Sequence, residues 1–245
     1  MEGGEFIMRH WSCCNSVFNT LHSPLPTPHS PLPMFITFEG PEGSGKTTQV
    51  ALLAEWLRGQ GRDVLTTREP GGTAIGDRVR SILLDPACTE MRAEAEVLLF
   101  SAARAQIVGQ VIRPHLDRGG VVLCDRYADS TIAYQGYGRG LDLAMLAAIT
   151  AFATGSLVPV LTIFLDIDVE AGLRRKQEHA GSDASQWNRM EAEALAYHQR
   201  VREGYLAMAS DQPARWLVVQ AGQPVDAVQQ AVRRRVAPAL GLANA

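Results

Sequence analysis

Apolar residues in this chain fall into five short continuous runs separated by longer stretches of mixed character. The runs at 34–38, 63–67, 121–124, 161–165 and 216–219 are rich in Val, Ile, Leu and Phe. A strand with one wet face would alternate apolar and polar residues, so unbroken runs predict strands buried on both sides. The stretches between them, among them 49–58, 90–112, 128–135 and 143–152, read as helices. Strand and helix in alternation predict an α/β fold, a five-stranded parallel sheet flanked by helices, because parallel neighbours need a helical crossover.

The pattern begins only at Met34. Residues 1–33 show no periodicity, and HSPLP occurs twice, at 22–26 and 29–33, a proline density that breaks helix and ladder alike. A disordered extension is expected there, ahead of one domain at 34–245. It lacks the layout of a secretion signal. Met34 stands directly before the first strand, so a start codon set too far upstream explains the extension at least as well as a function does. Further on, a Gly/Ser/His-containing stretch at 179–186 interrupts two polar helices and suggests a mobile lid at about 174–188.

Composition narrows the partners. With 245 residues, 46% of them apolar, the chain can bury one good core. A net charge of −3 supplies no basic field, so affinity for phosphate has to be local and nucleic acid is a poor partner. Cys13, Cys14, Cys88 and Cys124 show neither metal spacing nor a disulfide framework, which suits a reducing, cytoplasmic setting. No uncharged apolar run reaches the roughly 18 residues of a membrane span.

The first strand runs into Gly40-Pro41-Glu42-Gly43-Ser44-Gly45-Lys46-Thr47, followed by Thr48 and a helical stretch. This satisfies G-x-x-x-x-G-K-[ST] in the strand-to-helix setting that the motif requires. Backbone N–H groups of such a loop and the positive end of the new helix hold phosphate oxygens. Lys46 is expected on the β- and γ-phosphates of ATP and the Thr47 hydroxyl on Mg²⁺, with Asp125 at the end of the third strand joining the metal shell. The alternative is a Gly-rich turn that binds nothing. The loop by itself leaves GTPases, ATPases and small-molecule kinases open. A guanine-reading N-K-x-D does not occur in the sequence, which favours a small-molecule kinase.

After the second strand comes Thr67-Arg68-Glu69-Pro70-Gly71-Gly72-Thr73, and after the third Asp125-Arg126-Tyr127 with Ser130, Thr131, Tyr134, Gln135 and Gly136. Ligands of open α/β sheets sit at strand carboxyl ends. Two polyanions brought end to end need cations between them, and Arg68 and Arg126 are placed for that. Ser130 and Tyr134 are four apart and share a helical face. Phe100 and Arg104 are likewise adjacent on one helix, either as a stacking ring beside a planar donor for a pyrimidine or as a core Phe beside a surface Arg.

Across about 34–240 the chain resembles the bacterial thymidylate kinases, whose marks include this loop, TREPGGT, a DRY segment leading to AYQG, and a late DR-x-E. The resemblance implies a P-loop NTPase three-layer fold and phosphorylation of dTMP by Mg-ATP. It implies that Arg126 grips the acceptor phosphate, that Tyr134 packs on the deoxyribose and that Thr131 and Gln135 lie near the base. Phe100 with Arg104 would hold thymine, and Arg68, Glu69, Pro70 and Ser130 would complete the acceptor site. Glu42 resembles an acidic residue near metal and acceptor; Glu39 and Glu69 could serve the metal or cap turns. Relatives with an arginine in the loop differ at Gly43, so the missing catalytic charge is expected from Arg174, Arg175 or Lys176. The lid departs from the pattern, with no arginine at 177–187 and with Asn188-Arg189-Met190-Glu191 in place of DR-x-E. Relatives are commonly homodimers, and the Ala/Leu-rich helix 143–152 is either core or interface. An adenine pocket is expected near 220–223. Competing readings are another P-loop nucleotide or nucleoside kinase and an ATP-binding regulatory module with a degraded lid.

Overall fold

Five strands, β1 (Met34–Glu39), β2 (Val64–Arg68), β3 (Val121–Asp125), β4 (Leu161–Asp166) and β5 (Trp216–Gln220), form one parallel sheet in the order β2-β3-β1-β4-β5. The structure is a computed structural model that describes residues 34–180, 189–190 and 192–242, without the side chains of 179 and 180. The extension expected at 1–33 and residues 181–188 of the expected lid lie outside the described residues. Each observed strand starts or ends within about a residue of its apolar run. The central strands β1 and β4 are buried at every position, whereas the edge strand β2 is buried only at Val64.

Helices cover both faces and make three layers. On one face α1 (Lys46–Gly59) and α9 (Val225–Ala239) bury Leu53, Leu57, Val232 and Val236 against Ile36, Phe38 and Ile163. Each such fully buried side chain contributes about 1.5–3 kcal/mol. On the other, α3 (Ala93–Ile107) and its continuation set Ile107, Val108 and Ile112 against Phe35, Val122 and Tyr127. A third cluster joins α8 (Leu195–Asp211) to the sheet through Tyr197, Tyr205, Phe164 and Trp216. The remaining helices are α2 (Ala74–Leu84), α4 (Arg113–Leu116), α5 (Ala128–Thr131), α6 (Leu143–Thr154) and α7 (Val169–Ala180).

Two helices depart from expectation. The helix expected at 90–112 begins at Ala93 and runs on to Leu116 through a π-helical stretch, Val108–Ile112. Pro114, early in α4, has no N–H for the regular ladder, and a wider turn accommodates it. This 24-residue helix is by length and mean composition apolar enough to cross a bilayer, though Glu94, Glu96, Arg104 and Arg113 interrupt it, so it is not a continuous apolar run of that size. Its apolar face packs on the sheet instead. The helix expected at 128–135 is α-helical only to Thr131 and then π-helical over Ile132–Gly138.

Candidate active site

The ends of β1, β2 and β3 converge, with Phe38 and Arg68 both in register with Asp125. From there the loop 40–45 turns into α1, and Gly43 takes a left-handed φ of 70°. A Cβ on Gly43 would lie 2.0 Å from the Gly172 carbonyl oxygen, and one on Gly172 would lie 2.4 Å from that of Glu42. The backbone of α7 therefore rests directly on the loop, and no side chain fits at position 43. Arg175 and Lys176 follow Gly172 by three and four residues, on the same helical face, and both line the cleft. Arg174 is turned outward, 65% exposed and 3.9 Å from Glu170. Of the three cations expected from this helix, two face the loop.

The cleft encloses about 410 Å³. Among its described lining residues, six are cationic (Lys46, Arg68, Arg80, Arg126, Arg175, Lys176) and three acidic (Glu42, Glu69, Asp125), in a chain of net charge −3. This local excess suits a polyanion. At the loop end, Lys46 Nζ donates to Gly40 O at 3.1 Å, Pro41 O at 3.0 Å and Ser44 Oγ at 3.4 Å. Burial and the neighbouring Arg126 lower the Lys46 pKa against the pull of Glu42 and Asp125. Thr47 Oγ1 donates to Asp125 Oδ2 at 2.7 Å. Gly43, Gly45 and Thr48 line the same end, while Gly40, Pro41 and Ser44 hold the Lys46 ammonium through the bonds just given.

Arg126 stands in mid-cleft with a left-handed φ of 68°, held by its N–H on Phe38 O at 2.9 Å. Its guanidinium pairs with Glu42 and lies 4.9 Å over the Tyr134 ring. Burial alone would raise the Glu42 pKa, but Arg126, Lys46 and Lys176 pull it down to about 2. Glu42 thus stays ionised beside Arg126. At the far end Phe100, Ser130, Thr131, Gln135, Glu69 and Pro70 line the wall. Arg104 lies behind it, 1% exposed, donating to Glu69 Oε2 at 2.7 Å, Thr131 Oγ1 at 2.9 Å and Tyr127 O at 3.1 Å. It is not a surface arginine.

Glu39 is fully buried beneath this floor, accepting from Tyr127 N at 2.8 Å, Ser130 Oγ at 2.6 Å and Tyr205 Oη at 2.7 Å. Neither Glu39 nor Glu69 bonds Thr47 or Asp125. Burial, then repulsion from Asp129, outweighs Arg126 and the hydroxyls and raises the Glu39 pKa from 4.5 to about 7. Between these values the folded chain holds a proton that the unfolded chain has released, so stability falls as pH rises through this window. At about 1.4 kcal/mol per pH unit the loss amounts to about 3 kcal/mol. Glu39→Gln keeps an acceptor for Tyr127 and cannot ionise. Denaturant unfolding at pH 5 and pH 8 is expected to show a flatter dependence in this variant than in the parent; parallel curves would count against the assignment.

Several side chains here escaped the sequence reading. Arg80 lines the cleft and donates to Pro70 O at 3.0 Å. It follows buried Gly76 by four residues, a helical spacing that could have pointed to it. Glu96 precedes Phe100 by four residues on α3, a spacing that could likewise have pointed to it, whereas Tyr205 comes from the distant α8 and carries no local signal. At the expected adenine segment, Ala221 O accepts from Arg175 at 3.0 Å and Gln220 Nε2 donates to Asp166 at 3.0 Å.

A family model described as Thymidylate kinase matches residues 38–232. The thymidylate kinase of Roseiflexus castenholzii is 54% identical over 215 residues, covering 84% of this chain and 94% of that protein. That of Deinococcus radiodurans is 52% identical over 196 residues, covering 80% and 92%. Among solved structures, the crystal structure of thymidylate kinase from Ehrlichia chaffeensis matches with a TM-score of 0.62 at 35% identity, covering 76% of this chain and 91% of that one.

Proposed function

The chain belongs to the thymidylate kinase family, and from that premise we propose that it transfers the γ-phosphoryl group of ATP to dTMP, giving dTDP and ADP. The observation that carries the reading is the single cleft with Lys46 and the Thr47–Asp125 pair at one end and Phe100, Thr131 and Gln135 at the other, with Arg126 between them. The triphosphate of ATP is received by the loop amides and the start of α1, with Lys46 on its terminal phosphates. The acceptor phosphate lies against Arg126, whose orientation Glu42 and Tyr134 maintain. Its second pKa is about 6, so it attacks as an ionised oxygen at neutral pH and needs no base. Placement in line and cancellation of charge then do the catalysis. Arg175 and Lys176 complete the cationic ring from above, in place of an arginine in the loop. Thr47 and Asp125 offer a hydroxyl and a carboxylate side by side, the small oxygen set that Mg²⁺ takes beside phosphates and water. When bound, a metal held by these two residues would neutralise charge on the phosphates.

A homodimer is also proposed. Helices α2, α3 and α6 pack side by side and leave Ile75, Leu98 and Phe152 exposed, Phe152 to 90%. A monomer would leave that apolar surface wet. The protein is placed in the cytoplasm, where Cys88 and Cys124, both free thiols, stay reduced.

ATP and Mg²⁺ offered with each nucleoside monophosphate in turn test the reading. Turnover should be greatest with dTMP, followed by dUMP, since a single methyl group discriminates by only about 1–3 kcal/mol. Preference for another acceptor would overturn the assignment, and ATP binding without transfer would mark a regulatory module. Sedimentation of the same preparation at twice 26.6 kDa checks the dimer.

A further inference from the structure

Two side-chain rungs join α3 to the segment 128–138 behind the cleft wall. Arg104 donates to Thr131 Oγ1 at 2.9 Å, and Gln135 Nε2 donates to Glu96 Oε1 at 2.8 Å. Glu96, Phe100 and Arg104 follow one another at four-residue spacing, so Phe100, which lines the cleft, lies between the rungs.

The chemistry of the rungs fixes their polarity. A carboxylate only accepts, so Gln135 must turn its NH₂ toward Glu96. Glu96 is wholly buried and clamped: Arg139 reaches both oxygens at 2.7 and 2.8 Å, Arg189 binds Oε2, and Arg139 is tied in turn to Glu193 at 2.9 Å. Burial would push its carboxyl up, but the bonds from Arg139, Gln135 and Arg189 hold it below the usual range, so it stays ionised. The Gln135 amide oxygen has no protein donor among the described residues, yet it is not sealed from solvent. It is the acceptor this side chain offers the cleft it lines. At the other rung a guanidinium only donates, so Thr131 accepts and keeps its own hydroxyl proton to give. One donor and one acceptor thus flank Phe100.

We propose that Glu96 is a positioning residue that sets base specificity: by holding Gln135 with its carbonyl oxygen toward the cleft, it makes the site demand a ring N–H at N3 beside a carbonyl, and so favours thymine and uracil over cytosine. Cytosine presents the reverse pattern, a bare nitrogen at N3 beside an amino group. Accommodating it would require Gln135 to flip and point its oxygen at a buried carboxylate. The inference rests on the reading of dTMP as acceptor.

The measurement is the ratio of kcat/KM for dTMP to that for dCMP, in the parent and in Glu96→Gln and Glu96→Asp. Aspartate keeps a negative charge between Arg139 and Arg189, whose long side chains can follow it, but shortens the reach to Gln135, so this variant is chosen to remain folded, as a thermal melt would verify. Both variants are expected to lower the ratio by about tenfold or more. A loss of turnover on both substrates with an unchanged ratio would mean that Glu96 is merely structural, and the proposal fails. In the unaltered protein, dTMP methylated at N3 should bind at least about tenfold more weakly; equal binding overturns the proposal without any variant. A parent that does not prefer dTMP to dCMP would instead remove the functional reading beneath it.

Discussion

Arg126→Ala is expected to lower kcat/KM for dTMP by about 10³-fold, the loss typical of one preorganised cation facing a migrating phosphoryl group. The guanidinium is half-buried in the cleft, against Glu42, Tyr134 and Tyr205. Its removal leaves the negative charge of Glu42 turned toward an incoming phosphate, so repulsion replaces attraction. Alanine inherits the left-handed φ of 68° at little extra cost, since arginine is equally disfavoured there. The effect should therefore be kinetic. KM for dTMP should rise and kcat fall, while ATP affinity, resting on the loop and Lys46, changes little. Arg126→Lys restores charge without the planar fork and should recover only part of the rate. Steady-state kinetics with each substrate varied checks this; activity within tenfold of the parent would exclude Arg126 from the acceptor site.

Arg104→Ala should act on stability instead, by about 3–5 kcal/mol, because it strands the Glu69 carboxyl in the interior. Glu69 is 5% exposed, its Oε1 is already without a partner, and burial raises its pKa despite Arg104. Thr131 and Tyr127 O would each lose a donor as well. Denaturant unfolding with an unchanged m-value measures the loss. The double change Arg104→Met with Glu69→Gln removes both charges and keeps most of the volume, so it should be markedly more stable than Arg104→Ala. A single variant less than about 1 kcal/mol below the parent would mean that water reaches this pair.

How much of this was legible beforehand differs by element. The positions of the five strands were, because each is written as a short apolar run and needs no knowledge of its neighbours; burial on both sides, expected for all five, holds throughout β1 and β4 but not in the edge strands β2 and β5, which are buried at only some positions. The phosphate loop was too, since its glycines, lysine and threonine act within eight consecutive positions. The π-helical turn at 132–138 was not. It is shaped by contacts from afar, with Gly136 against Leu143 and Gly138 against Tyr197, and nothing within the turn announces them. The same holds for the helix 93–116, whose composition alone would suit a bilayer and whose partners place it on a sheet.

Among the arginines, the sequence by itself determined which segments would bring positive charge to the strand ends, and that Phe100 and Arg104 would be neighbours. Only the tertiary structure decided what each charge does: Arg126 meets Glu42 across 84 positions and faces the cleft, Arg104 meets Glu69 across 35 and is sealed behind it, and Arg174 turns away while Arg175 and Lys176 turn in. The physical reason is that helix and strand arise from local sterics and periodicity, whereas the pairing and desolvation of a charge depend on whichever group the fold carries to within a few ångströms of it.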